Sequence, residues 1–281
     1  MTSPGPRTLG LIAGNGRLPL VLAEAARTRG VRLAAVAINE ETDPAIEARV
    51  PEIAWFHVGQ LTGMIDFLKA AGCSEVVMAG QLRLGHVFGD WEALMADPLV
   101  LDLLARVADR RGDSLLGAVA EVLEKAGLHL REATHLLDEY VAKPGALTKR
   151  APTGEEQEDV AFGWRIAKAI SGLAVGQTVV VKRRAVVAVE AVEGTDAAIR
   201  RGGELGGEGV VVVKVSRPDQ DLRFDLPVIG ASTVDALIAA GAGALALEAG
   251  RTLVLDREEI CRRADEAGIA IVAMDSPPAN S

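Results

Sequence analysis

The first part of the chain alternates between strand-like and helix-like patterns, and a glycine turn separates the first strand from the first helix. Residues 8–13 are an apolar run that breaks at a Gly-Asn-Gly turn, a helical pattern follows as far as Gly30, and residues 31–38 are again strand-like. Parallel strands require a long crossover, and a helix is the usual one. This pattern predicts a βαβ unit within a doubly wound, Rossmann-like parallel sheet.

The same alternation continues beyond this unit. A helix is predicted over residues 62–71 and a strand over residues 75–78. Apolar residues at helical spacing between positions 90 and 127 predict two amphipathic helices. Asp113 or Ser114 is expected either to cap the second of these helices or to contact a ligand.

A chain of 281 residues exceeds the usual size of one domain, so we expect two. Residues 143–158 are rich in Pro, Gly, Thr and charged residues, and we interpret them as a linker. It would join an N-terminal α/β domain, residues 1–142, to a C-terminal α/β domain, residues 159–281. The second domain again alternates helical patterns with apolar strand-like runs, at residues 178–181, 185–191, 209–215, 244–247, 252–255 and 269–274.

Composition restricts the classes of partner and the cellular compartment. Aromatic residues make up only 3% of the chain, so the core must come from Val, Leu, Ile and Ala. The net charge of -9 argues against nonspecific binding to nucleic acid or to anionic membranes. Cys73 and Cys261 lack a metal-type spacing and fit a reducing compartment. Without a signal-peptide pattern or a long apolar run, we expect a cytoplasmic protein.

The first candidate site is the glycine turn after the first strand. Glycines let a backbone approach a phosphate, and the N-terminus of the following helix supplies free N–H donors. However, Pro19 stands where the third glycine of a dinucleotide fingerprint would be, and the next strand ends in Asn39 instead of an acidic residue. Nicotinamide binding is therefore disfavoured. A phosphate or sugar contact and a tight turn without a ligand both remain open.

A second candidate follows the apolar run that ends near Val189. Glu190 and Glu193 come at its polar exit, where they could hold Mg²⁺ or orient a hydroxyl group. The alternative is a solvated turn before a helix that Thr195 or Asp196 caps.

The third candidate is the acidic segment, residues 220–225, with the sequence Gln-Asp-Leu-Arg-Phe-Asp. If it is extended, Asp221, Arg223 and Asp225 alternate onto one face. Two carboxylates and a guanidinium on one face suit a metal-bound phosphate, since the carboxylates hold the cation and the guanidinium clamps phosphoryl oxygens. The alternative is a surface salt bridge of little energetic consequence.

Other catalytic patterns are missing from the sequence. Its four histidines form neither a metal spacing nor a nucleophile relay, and there is no nucleophile elbow or P-loop. Serine hydrolases, ordinary P-loop NTPases and phosphatases with histidine-bound metals are therefore disfavoured.

A series of segments spread over nearly the whole chain stands in a specific order: Leu11-Ile12-Ala13-Gly14-Asn15-Gly16-Arg17-Leu18-Pro19, Arg111-Gly112-Asp113-Ser114-Leu115-Leu116, Gly176-Gln177-Thr178-Val179-Val180-Val181, Ala188-Val189-Glu190-Ala191-Val192-Glu193-Gly194-Thr195-Asp196-Ala197, Gln220-Asp221-Leu222-Arg223-Phe224-Asp225-Leu226-Pro227-Val228-Ile229-Gly230 and Ala246-Leu247-Glu248-Ala249-Gly250. In this order and spacing they resemble the LpxI-type UDP-2,3-diacylglucosamine pyrophosphatases of lipid A biosynthesis. The resemblance implies Mg²⁺-assisted hydrolysis of the pyrophosphate to UMP and 2,3-diacylglucosamine 1-phosphate (lipid X), with water attacking the phosphorus nearer the sugar.

For this chemistry we expect Asp225 to be indispensable, either as a metal ligand or as the carboxylate that orients the attacking water. Asp221 and Glu190 are the candidate partners in metal binding. Lys214 and Arg223 are candidates to neutralise charge on the leaving UMP and on the phosphoryl oxygens.

The remaining expectations concern the substrate and its surroundings. The ligand is a lipid-linked nucleotide, which implies peripheral contact with the inner face of the cytoplasmic membrane, and a homodimer is a further hypothesis. Two alternatives of a different class stay open: a nucleotide-sugar-binding module without hydrolysis, and a phosphoryl or glycosyl transferase. The candidate substrate-binding residues are Gly14, Asn15, Gly16, Leu18, Gly80, Gln81, Glu193, Thr195, Asp196 and Thr233.

Overall fold

The computed structural model describes residues 8–82, 96–106, 112–218, 220–223 and 225–277. Residues 90–95 and 107–111 of the predicted helical region and Phe224 of the acidic segment lie outside these ranges. The chain is divided into two compact units. The first unit is Met1–Leu137 together with Leu222–Asp225, and the second is Asp138–Asp221 together with Leu226–Ser281.

The first unit is built on a five-stranded parallel sheet in the order β3-β2-β1-β4-β5. Its core packs Val and Leu side chains of the sheet against helices, and β2 is buried along its length after its first residue. This burial on both faces is typical of parallel sheets. The strands are β1 (Thr8–Ala13), β2 (Arg32–Ile38), β3 (Glu52–Phe56), β4 (Cys73–Ala79) and β5 (His129–Arg131), and the helices are α1 (Leu18–Thr28), α2 (Leu61–Ala70), α3 (Pro98–Arg106) and α4 (Gly112–Lys125).

The strand order of this sheet determines where a ligand site is expected. From β1 the chain moves outward to β2 and β3, and then returns to the other side of β1 with β4. The loops after β1 and β4 therefore diverge at a topological switch point, the place where open α/β sheets bind ligands.

Because α4 begins at Gly112, Asp113 and Ser114 lie inside its first turn and not ahead of it.

The second unit has a six-stranded mixed sheet in the order β6-β13-β11-β9-β7-β8. Strands β9, β11 and β13 are parallel, whereas β7 runs antiparallel to its neighbours and β6 runs antiparallel to β13. The strands are β6 (Gly145–Ala146), β7 (Thr178–Lys182), β8 (Ala185–Val189), β9 (Val211–Lys214), β11 (Ala244–Glu248) and β13 (Ala270–Met274), with β10 (Val228–Ile229) and β12 (Leu253–Val254) as a separate parallel pair. The helices are α5 (Gly154–Gly172), α6 (Thr195–Gly206), α7 (Ala231–Ala239) and α8 (Arg257–Glu266).

Side chains of this second sheet alternate between two cores. Val211 and Val213 of β9 pack on the face covered by α5, with Trp164. Val212 packs on the opposite face, against Ile199 of α6 and Leu237 of α7. The predicted α/β fold, with a Rossmann-like parallel sheet first and a second α/β unit after it, is confirmed.

The segment interpreted as a linker, residues 143–158, is part of the second unit. It contains β6 and the first turn of α5, and the boundary between the two units falls earlier, between Leu137 and Asp138. Thr153 and Glu156 form a capping box in which each side chain bonds the backbone N–H of the other. The polar composition of this segment therefore reflects helix capping and sheet pairing.

Candidate functional site

In the first unit, the carboxyl ends of β1 and β4 carry two loops that are joined by backbone hydrogen bonds. The N–H of Asn15 donates to the carbonyl oxygen of Gln81 at 2.7 Å, and the N–H of Gln81 donates back to Asn15 at 3.2 Å. These bonds lie at the topological switch point of the sheet. The structure thus brings together the predicted residues after β1 and those after β4, which are far apart in the sequence.

Glycine is required in both loops because the two backbones approach closely. A Cβ atom on Gly14 would lie 2.5 Å from the carbonyl oxygen of Gln81, and one on Gly80 would lie 2.5 Å from that of Asn15. Gly80 also has a φ of 94°, which favours glycine. By contrast, a Cβ on Gly16 would meet nothing within 4 Å. Loop packing therefore explains Gly14 and Gly80, whereas Gly16 is explained by its φ of 89°, which favours glycine.

The turn leads directly into α1. Leu18 is the first helical residue, and its side chain is buried, so its contribution to a ligand contact would come from its backbone N–H. Among the described residues, no side chain caps the first turn of α1. A helix N-terminus with uncapped N–H groups favours an anionic ligand.

In the second unit, a hydrogen-bonded chain of side chains lies at the end of β9. Lys214 Nζ donates to Thr195 Oγ1 at 2.7 Å, and Thr195 Oγ1 donates to Glu190 Oε1 at 2.8 Å. The N–H of Gln177 donates to the other oxygen, Glu190 Oε2, at 3.2 Å. Lys214 is only 6% exposed. Its buried positive charge is therefore matched by Glu190 through a shared hydroxyl group.

This arrangement corrects the expectation that Thr195 or Asp196 caps α6. The N-cap is Gly194, with a φ of 84°, and no described side chain caps the helix. The Thr195 hydroxyl is instead committed to Lys214 and Glu190. Because both oxygens of Glu190 accept hydrogen bonds from the protein, the geometry favours Glu190 as the partner of Thr195 over a role as a metal ligand.

The acidic segment is not extended, so the predicted alternation of Asp221, Arg223 and Asp225 onto one face is wrong. The chain turns at Leu222 and Arg223. Asp221 is grouped with the second unit and Asp225 with the first.

Within the first unit, Arg223 Nη1 lies 3.9 Å from Glu124 Oε1 at the end of α4. Hydrogen bonds from His129 and from the N–H of Leu130 hold the pKa of Glu124 below its ordinary value. Both partners of the Arg223 pair are more than a third exposed, so it adds little to stability.

The other predicted binding residues are dispersed over the second unit. Glu193 is exposed and bonds Arg201 at 2.6 Å. Hydrogen bonds from its own backbone N–H and from Arg201 lower the pKa of Glu193. Asp196 is half-buried in the first turn of α6, and Thr233 is buried in the first turn of α7. Across the described ranges, no hydrogen bond joins Asp196 or Thr233 to Lys214.

Family models cover nearly the whole chain. Residues 8–140 match the LpxI N-terminal domain, and residues 143–272 match the LpxI C-terminal domain. The chain belongs to the LpxI family. It is 36% identical, over 96% of its own length and 98% of the relative's, to a protein of Caulobacter vibrioides named UDP-2,3-diacylglucosamine pyrophosphatase LpxI.

Similarity of this LpxI-family chain to solved structures is slight. An ADP complex of N5-carboxyaminoimidazole ribonucleotide synthetase matches with 15% identity and a TM-score of 0.28, over 63% of this chain and 32% of that one. The biotin carboxylase domain of Hydrogenobacter thermophilus 2-oxoglutarate carboxylase matches with 10% identity and a TM-score of 0.27, over 63% and 35% of the two chains. TM-scores this low say nothing about function.

A metal site made by side chains alone is not found in the part of the chain that the structure describes. Among the described residues, no three His, Cys, Asp or Glu side chains are grouped so that they could hold a metal ion. Mg²⁺ in phosphoryl-transfer enzymes commonly takes one or two carboxylates and completes its shell with water and substrate phosphates. A site of that kind needs fewer protein carboxylates than the group of three that the described residues lack.

Two sets of polar residues in the LpxI chain were missed by sequence reasoning. Thr42 Oγ1 donates to the carbonyl oxygen of Ala13 at 2.5 Å and so supports the end of β1. Lys168, Ser216 and Glu248 form a second buried polar cluster in the second unit. A carboxylate at the end of an otherwise apolar strand, as Glu248 is in β11, was the available signal.

Within the described ranges, no helix has the length and apolar character that crossing a bilayer requires.

Proposed function

We propose that this protein hydrolyses the pyrophosphate bond of UDP-2,3-diacylglucosamine in lipid A biosynthesis, with the help of Mg²⁺. The products are UMP and 2,3-diacylglucosamine 1-phosphate, lipid X. Family membership and the name of the Caulobacter vibrioides relative support the substrate. The geometric observation that carries the proposal is the buried ammonium group of Lys214 at the carboxyl end of β9.

Lys214 is suited to bind an anionic group. An ammonium group has three N–H donors, and within the described residues one of them is used, by Thr195. The remaining donors can contact phosphoryl oxygens. Burial strengthens such a contact, since a charge in a low-dielectric site interacts more strongly than a charge in water. Lys214 would then stabilise the negative charge that develops on the UMP leaving group.

The switch-point loops of the first unit are proposed to contact the uridine, ribose or phosphate. Their contribution comes from backbone N–H groups near Gly16 and from the first turn of α1, where anions are favoured. Gln81 is exposed beside them and can bond a sugar or base.

Asp225 is proposed either to orient the attacking water or to bind Mg²⁺, and Asp221 is proposed as a metal ligand. Water attacks the phosphorus nearer the sugar, the bond from that phosphorus to the bridging oxygen breaks, and UMP leaves. When bound, Mg²⁺ would polarise the phosphoryl oxygens. Arg223 is proposed to neutralise charge on the phosphoryl oxygens.

The direct test is UMP release from UDP-2,3-diacylglucosamine by the purified protein, with Mg²⁺ and with a chelator. We expect activity only with Mg²⁺, and we expect Asp225→Ala to lower kcat by about 1,000-fold or more, as for groups that act on the reacting atoms. The matched control is Asp235→Ala, which removes an exposed carboxylate paired with Arg263 on the surface. Undiminished turnover by Asp225→Ala would reject the assignment of this residue.

The glycine turn after β1 favours a second candidate, a nucleotide-sugar-binding module without hydrolysis. Binding of UDP-2,3-diacylglucosamine with no release of UMP would support that alternative. A transferase is distinguished by running the reaction in ¹⁸O-labelled water. Hydrolysis puts the label into the sugar phosphate, whereas transfer to another acceptor leaves both products unlabelled.

The proposed substrate also suggests where the protein works. A diacylated sugar nucleotide resides in a membrane, so we propose a cytoplasmic protein with peripheral contact to the inner membrane, and a homodimer in solution. Vesicle flotation with and without substrate lipid tests the membrane contact, and light scattering tests the dimer.

A further inference from the structure

Glu248 ends β11 and is 8% exposed. Its two carboxylate oxygens each lie 2.7 Å from Lys168 Nζ on α5. Glu248 Oε2 also accepts hydrogen bonds from the N–H of Ser216 at 2.7 Å and from Ser216 Oγ at 2.9 Å. A carboxylate with this many donors is held in one position, because charge-assisted hydrogen bonds are strong and directional.

These bonds fix the backbone that leaves the sheet after β9. Lys168 Nζ donates to the carbonyl oxygen of Ser216 at 2.9 Å, so both backbone polar groups of Ser216 are bonded to the same ion pair. Ser216 is two residues beyond Lys214, the proposed phosphate contact. The ion pair therefore holds the chain where it passes from the proposed phosphate contact into the acidic segment.

The backbone on either side of Ser216 is also fixed by hydrogen bonds. The N–H of Val215 donates to the carbonyl oxygen of Gln177 at 3.0 Å. The N–H of Arg217 donates to Gln220 Oε1 at 2.7 Å, and the N–H of Gln220 donates to the carbonyl oxygen of Arg217 at 3.3 Å. Hydrogen bonds thus hold the backbone of residues 215–217 after β9 and of Gln220, the residue before Asp221.

We propose that Glu248 and Lys168 form a positioning pair that holds Lys214 and Asp221 in the spatial relation that hydrolysis requires. The pair acts through Ser216 and touches neither the substrate nor the reacting atoms. This inference rests on the proposed function, because it assigns Lys214 and Asp221 to the reaction.

A second ion pair in the same unit provides a matched control. Arg150 bonds Glu156 on α5 at 2.7 and 2.9 Å, and it also donates to the carbonyl oxygen of Gly243 just before β11. This pair ties α5 to the amino end of β11, whereas Lys168 and Glu248 tie the same helix to the carboxyl end. Glu156→Gln therefore weakens the same packing without contact to Ser216.

The experiment compares Glu248→Gln with Glu156→Gln in UMP release. We expect Glu248→Gln to lower kcat by about 10- to 100-fold, the size of effect that a small misplacement of catalytic groups produces. KM should change by less than about threefold, since groups that bind the substrate remain. Glu156→Gln should keep kcat within about twofold. Equal losses in both variants, or an unchanged kcat in Glu248→Gln, would overturn the proposal.

A double variant gives a readout that general loss of stability would not move. Glu248 and Lys168 both bond the backbone of Ser216, so their effects on kcat should not be independent. The loss of kcat in Glu248→Gln/Lys168→Met should therefore be smaller than the product of the losses in the two single variants. Losses that multiply fully would count against a pair that acts through Ser216. If Glu248→Gln does not fold, Ser216→Ala, which removes only the Oγ bond, should still lower kcat by about threefold to tenfold.

Hydrogen exchange tests the pair without relying on the reaction. Exchange at the amides of Ser216 and Arg217 should be at least about tenfold faster in Glu248→Gln than in Glu156→Gln. If the wild-type protein releases no UMP, the proposed function fails, and this measurement still decides whether the pair fixes the segment. Unchanged exchange in Glu248→Gln would reject the positioning role itself.

Discussion

The carboxyl edges of the two parallel strand systems use different chemistry. In the first unit, the loops after β1 and β4 meet through backbone hydrogen bonds and glycines. In the second unit, the ends of β9 and β11 carry buried charged side chains, Lys214 and Glu248. The first edge can bind an anion through backbone N–H groups, whereas the second can bind one through the ammonium group of Lys214. We therefore expect an added side chain to do most damage at the glycines of the first edge. At the second edge, we expect removal of the Lys214 charge to do most damage.

The largest effect expected from this difference is on catalysis. Lys214→Met should lower kcat by about 100- to 1,000-fold, as removal of one transition-state donor does in other enzymes. The matched control is Lys182→Met, which removes a lysine at the opposite end of neighbouring β7 that bonds a backbone carbonyl. Assays of UMP release on both variants make the test. An equal effect of the two substitutions would contradict the special role of the charged edge.

The next effect concerns the glycine edge. Gly80→Ala combines a left-handed φ, which costs about 1–2 kcal/mol for a residue with a side chain, with overpacking worth about 1–3 kcal/mol. Gly30→Ala is the control, because Gly30 has a φ of 68° but an added Cβ there would meet open space. In urea unfolding, Gly80→Ala should lower the free energy of unfolding clearly more than Gly30→Ala does. Equal losses would mean that the contact between the loops is less tight than the structure shows.

A smaller effect should appear in the pH dependence of stability. Burial by itself raises the pKa of Glu156, but hydrogen bonds from Arg150 and Thr153 outweigh it and lower the pKa. A lowered pKa in the folded state adds stability above the ordinary value, and that stability is lost as the pH falls through the folded value. Glu156→Gln should therefore reduce the free energy of unfolding by about 2 kcal/mol at pH 7.

The same difference should shrink as the pH falls below the ordinary Glu pKa of about 4.3, because the unfolded wild-type chain then takes up a proton before the folded protein does. Urea unfolding of both proteins between pH 7 and pH 3 measures it. A difference that stays constant over this range would show that the ionised pair with Arg150 is not its source.

The smallest effect is expected at Glu193, which is close to Glu190 in the sequence but lies outside its hydrogen-bonded cluster. Its side chain is exposed and bonds Arg201 on the surface. Glu193→Gln should leave the melting temperature within error of wild type and change KM by less than about threefold, as is usual for surface positions. A larger rise in KM would indicate that Glu193 contacts the substrate. The substrate site at the end of β9 would then include Glu193.

Much of the fold follows from local patterns. The strand, glycine turn, helix and strand at the start of the chain are found as β1, α1 and β2. Most strands of the second unit were also predicted, because buried parallel strands are continuous apolar runs. The edge strand β3 and the two-residue strands β6 and β10 were missed. They are half-exposed or too short to show a period.

The candidate site was less accessible to sequence reasoning. The residues at strand ends, among them Gly14, Gly80, Glu190 and Lys214, were found because polar residues after apolar runs mark the carboxyl edge of a sheet. The extended form of the acidic segment was wrong, since the segment turns at Leu222 and Arg223.

The sequence by itself determined the α/β class, the family and the chemical types of residue at the strand ends, because helical and strand periodicity and motif order are properties of neighbouring residues. Only the tertiary structure decided which of these residues are partners. Asn15 meets Gln81 because β4 lies beside β1, and Lys168 meets Glu248 because α5 packs on β9, the strand next to β11. Such pairs depend on strand order and helix packing, which bring together residues that are distant in the chain.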